Sequence, residues 1–264
     1  MIRPPRGEWR GWAAWAAVVA AVFAGFGSTL DGHFLGDDFA YVGRFTRFPW
    51  LAWPELFVDD WAQGMFGLPQ AELRPIAALS FMIDARIWGI NPAGYHLTNL
   101  ALHLICSGLV MLIARVPLDG RWLPAAAAGV IFALHPVHDE AVAWITGRVD
   151  LLSAAGFLLG FYALLRFRHS ASRRWLHIAW FAYAAGMFAK ESALVLPVVA
   201  LLYDLVGRRT APPRRSDLVA PYLGWGVLAA GYLMLRITAF GFGLGGPRVD
   251  VPALQIARTW PAVR

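Results

Sequence analysis

Seven apolar runs divide the chain, at about 11–30, 96–115, 122–138, 147–165, 175–189, 192–206 and 218–240. Each approaches the ~20 residues with which an α-helix crosses the hydrocarbon of a bilayer. In hydrocarbon a backbone must satisfy its own N–H and C=O groups, so runs of this kind fold as helices. With 58% hydrophobic residues, 13 tryptophans and 15% charged residues in 264, the chain lies outside the range of soluble domains. The sequence predicts an all-α, polytopic integral membrane protein with about seven transmembrane helices in a single membrane domain over 1–264.

Arginine placement sets the expected orientation. Arg3, Arg6 and Arg10, then Arg115 and Arg121, then Arg166, Arg168, Arg173 and Arg174, then Arg208, Arg209, Arg214 and Arg215 fall in alternate loops, and most acids fall in the others. By the positive-inside rule residues 1–30 form a cytoplasmic N-terminus and first span. The net charge of +6 then reports topology and anionic lipid headgroups, and nucleic acid is not an expected partner. Ala24–Ser28 offers no good small-x-small cleavage site, which favours an uncleaved anchor. Cys106 is the single cysteine, so no internal disulfide or thiolate metal site can form.

Residues 31–95 form the first outer loop. Trp50–Phe66 and Pro75–Trp88 read as amphipathic helices on the membrane surface, with Trp50, Trp53, Phe57 and Trp61 at helical spacing. Residues 96–240 hold the remaining spans. Residues 241–264 read as an outer tail that looks cut off.

Ionisable groups near membrane depth persist where they pair, face a wet cavity or handle a substrate. Such groups collect at one face: Asp37-Asp38 after the first span, His135-Pro136-Val137-His138-Asp139-Glu140 and Arg148-Val149-Asp150 around the third and fourth, and Lys190-Glu191 between the fifth and sixth. A carboxylate of the Asp37-Asp38 pair can take a proton from a hydroxyl nucleophile. A turn cap after Gly36 is the plain alternative. Glu140 is the second candidate carboxylate. His135 and His138 invite a metal reading, but no third ligand is fixed by the spacing; hydrogen bonding or gating is the preferred role, and no metal is assigned. Arg148 and Asp150 can equally form an internal ion pair. His96, Asn99 and His103 make a polar stripe that should face the bundle. Lys190, the only lysine, and Arg74, before Pro75, are candidate phosphate partners.

Three ordered motifs carry a resemblance. They are Arg74-Pro75-Ile76 with Trp88-Gly89-Ile90-Asn91-Pro92-Ala93-Gly94-Tyr95-His96-Leu97-Thr98-Asn99, Phe132-Ala133-Leu134-His135-Pro136-Val137-His138-Asp139-Glu140 with Gly147-Arg148-Val149-Asp150, and Ala189-Lys190-Glu191-Ser192-Ala193. Over about 31–206 the chain resembles the transmembrane and tetratricopeptide-repeat O-mannosyltransferases and their bacterial relatives. The resemblance implies a GT-C glycosyltransferase module with interfacial helices in its first outer loop. It also implies transfer of a sugar, mannose or another hexose, from a polyprenyl-phosphate carrier to an acceptor hydroxyl of an exported protein or a glycan. The expected location is a bacterial inner membrane, with the site on the periplasmic or outer face. Asp37, Asp38 and Glu140 map to the catalytic carboxylates. Arg74, Arg148 and Lys190 map to the basic residues that hold the lipid phosphate, and His96, His135, His138, Asp150 and Glu191 are further candidates for contact with the phosphate or sugar. The expected partners are membrane lipid, the polyprenyl-phosphate sugar and the acceptor; no cofactor is required, and a divalent metal is not favoured. Such enzymes normally carry further spans and repeats, so a truncated noncatalytic scaffold stands as one alternative. A transporter or flippase is the other, although the charges gather at one interface and no inverted repeat is visible.

Overall fold

The computed structural model describes residues 8–62, 71–206 and 215–240, and every regular element among them is helical. In chain order these are α1 (Glu8–Phe26), α2 (Asp38–Arg47), α3 (Pro75–Trp88), α4 (Pro92–Arg115), α5 (Trp122–Leu134), α6 (Asp139–Ala143), α7 (Arg148–Ser170), α8 (Arg173–Ala189), α9 (Leu196–Val206) and α10 (Arg215–Phe240). Short 3-10 helices join them at Gly27–Asp31, Trp50–Phe57, Pro136–His138, Ile145–Gly147 and Glu191–Val195.

Four helical segments among the described residues are long and apolar enough to cross a membrane: Trp9–Asp31, Pro92–Arg115, Ile145–Ser170 and Leu218–Phe240. The other three expected spans are shorter helices among the described residues, so four of the about seven expected spans have full crossing length there. Proline fixes one of these limits. His135, before Pro136, is held extended (φ −69°, ψ 125°), which ends α5 after 13 residues where 122–138 was expected. Pro54 similarly limits the expected helix over 50–66 to a 3-10 turn at Trp50–Phe57. Residues 63–66 of that expectation, the Arg208–Arg214 loop and the 241–264 tail lie outside the described residues. The helix over Pro75–Trp88 forms with the expected bounds, opened by proline at its first position. Helix α2 lies within what the sequence suggested was only acidic loop.

Small residues set the close approaches. The α7–α8 hairpin packs backbone on backbone: a Cβ on Gly156 would lie 2.6 Å from the Gly186 Cα. On the other side, Trp15 of α1 lies over Gly108 of α4, and α5 completes a second small bundle around Val18, Met111 and Ala125. Helices α2 and α3 cap one end of this assembly through an aromatic core of Tyr41, Phe45, Trp61, Phe81 and Tyr95. Trp61 stacks on Tyr41 with ring centroids 4.3 Å apart.

Candidate active site

The aromatic cap is tied to the bundle by one buried cation. Arg148, at the start of α7, has no exposed surface, and its hydrogen bonds reach two other helices, α3 and α4. Its Nη1 donates to Asp84 Oδ2 of α3 at 2.6 Å, its Nε to Asn99 Oδ1 of α4 at 3.1 Å, and its Nη2 to the Tyr95 carbonyl at 3.1 Å. The guanidinium also sits 4.3 Å from the Phe81 ring centroid. Asn99 turns its amide nitrogen to the carbonyls of Val142, Trp144 and Ile145, which holds the loop before α7. Arg148 therefore positions the site and does not line it, a correction to its expected contact with phosphate. Its ion-pair partner is Asp84, a residue that sequence reasoning passed over; Asp150 pairs elsewhere.

Asp38 is likewise drawn inside. Its Oδ1 accepts from the Thr146 backbone N–H and hydroxyl at 2.9 and 2.6 Å, and its Oδ2 accepts from the Leu35 N–H at 3.0 Å. With 1% of its surface exposed, it joins the start of α2 to the turn before α7 and is not open to a substrate, contrary to expectation. Its neighbour Asp37 points to a cavity.

That cavity, of about 320 Å³, is where the acids and bases meet. Asp37 and Tyr41 come from α2, Trp61, Glu72 and Arg74 from the segment leading into α3, and Glu140 and Trp144 from α6 and its end. Asp150 of α7 and Lys190, after α8, complete the wall. Gly147 lets the chain fold tightly enough to present Glu140, since a Cβ there would lie 2.6 Å from the Glu140 carbonyl. Lys190 Nζ lies 2.6 Å from Asp150 Oδ1; Arg74 Nη2 lies 2.9 Å from Glu72 Oε1 and 3.9 Å from Glu191 Oε1.

The charges do not balance: Asp37, Glu72, Glu140 and Asp150 face Arg74 and Lys190. Burial raises the Glu72 carboxyl above its ordinary 4.5; the Arg74 charge opposes this and the Glu191 and Asp60 charges add to it. Burial, reinforced by the Glu72 charge, also lifts the Tyr41 phenol far above its ordinary range. Two donors at the cavity, Trp61 Nε1 and Arg74 Nε, are buried without a protein partner. Buried polar groups rarely go unmatched, so these two favour a ligand with acceptor oxygens.

The histidines stand apart from this cavity. His135 Nδ1 accepts from the Val137 N–H at 3.2 Å and caps the turn after α5. His138 packs its ring on Phe132 and faces His103, whose Nε2 lies 3.1 Å from the Ala133 carbonyl. His96 is buried under Gly32, where a Cβ would lie 2.9 Å from its Nε2. None of His96, His135 and His138 lines this cavity; His96 and His135 support the surrounding turns, and His138 instead lines a separate cavity with Phe132. Among the described residues, no three His, Cys, Asp or Glu side chains are placed to hold a metal ion. Asp150 also borders a second, mostly apolar cavity of about 340 Å³ that runs along α7 past Ala154, Phe157 and Leu158.

Sequence comparison gives relatives across the same segment. The chain is 35% identical over 164 residues, 60% of its length, to fruit-fly protein O-mannosyl-transferase Tmtc1. It is 33% identical over 190 residues, 67% of its length, to human protein O-mannosyl-transferase TMTC2, and 32% identical over 207 residues, 73% of its length, to mouse TMTC1. The chain is a homologue of these protein O-mannosyl-transferases. It spans about a fifth of the length of these curated relatives, 18% of the fly protein, 22% of the human and 21% of the mouse one. No family model matches the chain, and no solved structure matches it.

Proposed function

We propose that the Asp37–Lys190 cavity transfers a sugar from a polyprenyl-phosphate carrier to a hydroxyl of an exported protein, on the outer side of the membrane. One observation carries this reading. A single cavity gathers the accessible carboxylates, both cations and two unpartnered buried donors, in a homologue of proteins named for O-mannosyl transfer.

In the proposed reaction the acceptor oxygen forms a bond to the anomeric carbon as the bond from that carbon to the phosphate oxygen breaks, with inversion. Asp37 takes the hydroxyl proton, since Asp38 is already saturated by Thr146 and Leu35. Glu140, exposed in the same cavity, orients the acceptor or sugar through its hydroxyls. The departing phosphate gains negative charge, so Arg74 and Lys190 act most strongly in the transition state. Both cations rest against carboxylates, and the phosphate must compete with Glu72 and Asp150 for them. Protonation of Glu72, which burial favours, releases Arg74 for that role. The apolar cavity beyond Asp150 offers the polyprenyl chain a path into the bilayer.

The test uses the purified 264-residue chain with radiolabelled polyprenyl-phosphate mannose and a Ser/Thr-rich acceptor peptide. Asp37→Ala and Glu140→Ala should each lower transfer by a hundredfold or more, in the range of lost acid–base catalysis. Transfer that survives the double variant would refute the assignment.

A further inference from the structure

A second cleft, of about 870 Å³, opens at the other end of the bundle between the beginnings of α1 and α5. We propose that it binds one anionic glycerophospholipid, with the phosphate between Arg10 and Arg121 and an acyl chain along the alanines of α1.

The cleft is built in two levels. At its rim are Arg10 and Arg121 with Trp9, whose surface is 62% exposed. Tryptophan at a helix end is the usual anchor at headgroup level, which puts the arginines at phosphate height. Below the rim the wall is a trough of Ala13 and Ala17, both exposed, over buried Ala14 and Ala126. A trough of methyl groups beneath two cations matches an acyl chain beneath a phosphate.

Trp122 makes the trough rigid. Its ring carries the Arg115 guanidinium at 3.8 Å from the centroid and packs against Gly11, where a Cβ would lie 3.1 Å from the indole. Arg115 Nε donates to the Gly120 carbonyl and Arg121 Nε to the Leu118 carbonyl, at 2.9 and 3.3 Å. The turn is thereby fixed, and the terminal nitrogens of Arg121 remain for a ligand.

Charge selects the headgroup. Arg10 and Arg121, with Arg115 held on Trp122, face Asp119, so the cleft carries a positive excess that complements the phosphodiester of an anionic lipid such as phosphatidylglycerol. A zwitterionic lipid brings its own cation and gains less.

Native mass spectrometry of the full chain, released from micelles holding equal phosphatidylglycerol and phosphatidylcholine, tests this. Phosphatidylglycerol should be retained in preference. Each arginine near a membrane surface is worth about a fivefold change in affinity, so Arg10→Gln with Arg121→Gln should weaken phosphatidylglycerol by about 25-fold and leave phosphatidylcholine unchanged. Both side chains are exposed, so the variant should fold normally. Ala17→Trp, which fills the trough, should also displace the lipid. The proposal is overturned if the two lipids bind alike, or if Arg166→Gln, in a separate cleft of about 430 Å³ beside Tyr162 and His169, weakens binding as much as the double variant. Soluble glycerophosphate binding as tightly as phosphatidylglycerol would overturn it too.

Discussion

Removal of Asp84 should unfold the site from beneath without touching a cavity residue. In Asp84→Ala the Thr98 hydroxyl keeps a partner, because it also reaches the Gly94 carbonyl at 3.3 Å. The loss therefore falls on Arg148, whose guanidinium stays at 0% exposure without its ion-pair partner. Breaking a buried pair in this way costs about 3–5 kcal/mol. The Phe81 ring at 4.3 Å and the two acceptors on α4 survive and offset part of that, which points to the lower end, about 3 kcal/mol. The comparison is Lys190→Met, which breaks an equally short pair whose side chains are 29% and 48% exposed. That change should cost about 1 kcal/mol or less. Reversible unfolding in mixed micelles, followed by tryptophan fluorescence, measures both. If Asp84→Ala costs no more than Lys190→Met, the claim that Arg148 anchors the cap is refuted.

Asp37→Asn should abolish transfer while leaving unfolding within about 0.5 kcal/mol of wild type. Asp38→Ala should instead cost about 2–4 kcal/mol, since two buried donors of Thr146 lose their acceptor; unfolding of the two variants side by side checks the division of roles. For Glu72, whose folded pKa is raised above its unfolded value, the folded state holds the proton more tightly. Its contribution to stability is full below about pH 4.5 and falls as pH rises through the folded value. Wild type should thus lose ground to Glu72→Gln on titration upward from pH 4, and unfolding midpoints at successive pH values would show it. Gly156→Ala should cost about 1–3 kcal/mol by forcing α7 from α8, seen as a lower unfolding midpoint.

Much of this could be read from the chain because its causes are local. Pro75 opens α3, and the stripe of Asn99 and His103 faces inward because a polar stripe on an apolar helix has nowhere else to go; the end of α5 at His135-Pro136 is masked by the apolar run at 122–138. What escaped notice depends on distant partners. Asp84 lies 64 residues from Arg148, and nothing in the local pattern distinguishes its pairing from that of Asp150. Asp37 and Asp38 are chemically alike; only the direction in which α2 leaves its first turn sends one to Thr146 and the other to the cavity. Glu72 and Trp61 join the site through a backbone bond, Trp61 N–H to the Glu72 carbonyl at 2.8 Å, which no spacing rule encodes. The one signal available was Glu72 two residues before Arg74, at the entry to a proline-started helix.

The early stop of α5 has a consequence for the bilayer itself. Helix α5 starts level with Arg115 at the end of α4, where Trp122 lies under its guanidinium, and by Ala133 it has reached only as far as His103. His103 is eleven residues, roughly 16 Å of helix rise, short of the beginning of α4. The exposed run His135–Val137, with Asp139 and Glu140, thus begins near the middle of the slab that α4 crosses. Hydrocarbon cannot surround such groups, so lipid must dip and water must follow it down beside α5. On the proposed reading, that aqueous surface beside the short helix is where the lipid-borne donor would meet the outer-face cavity without leaving its leaflet.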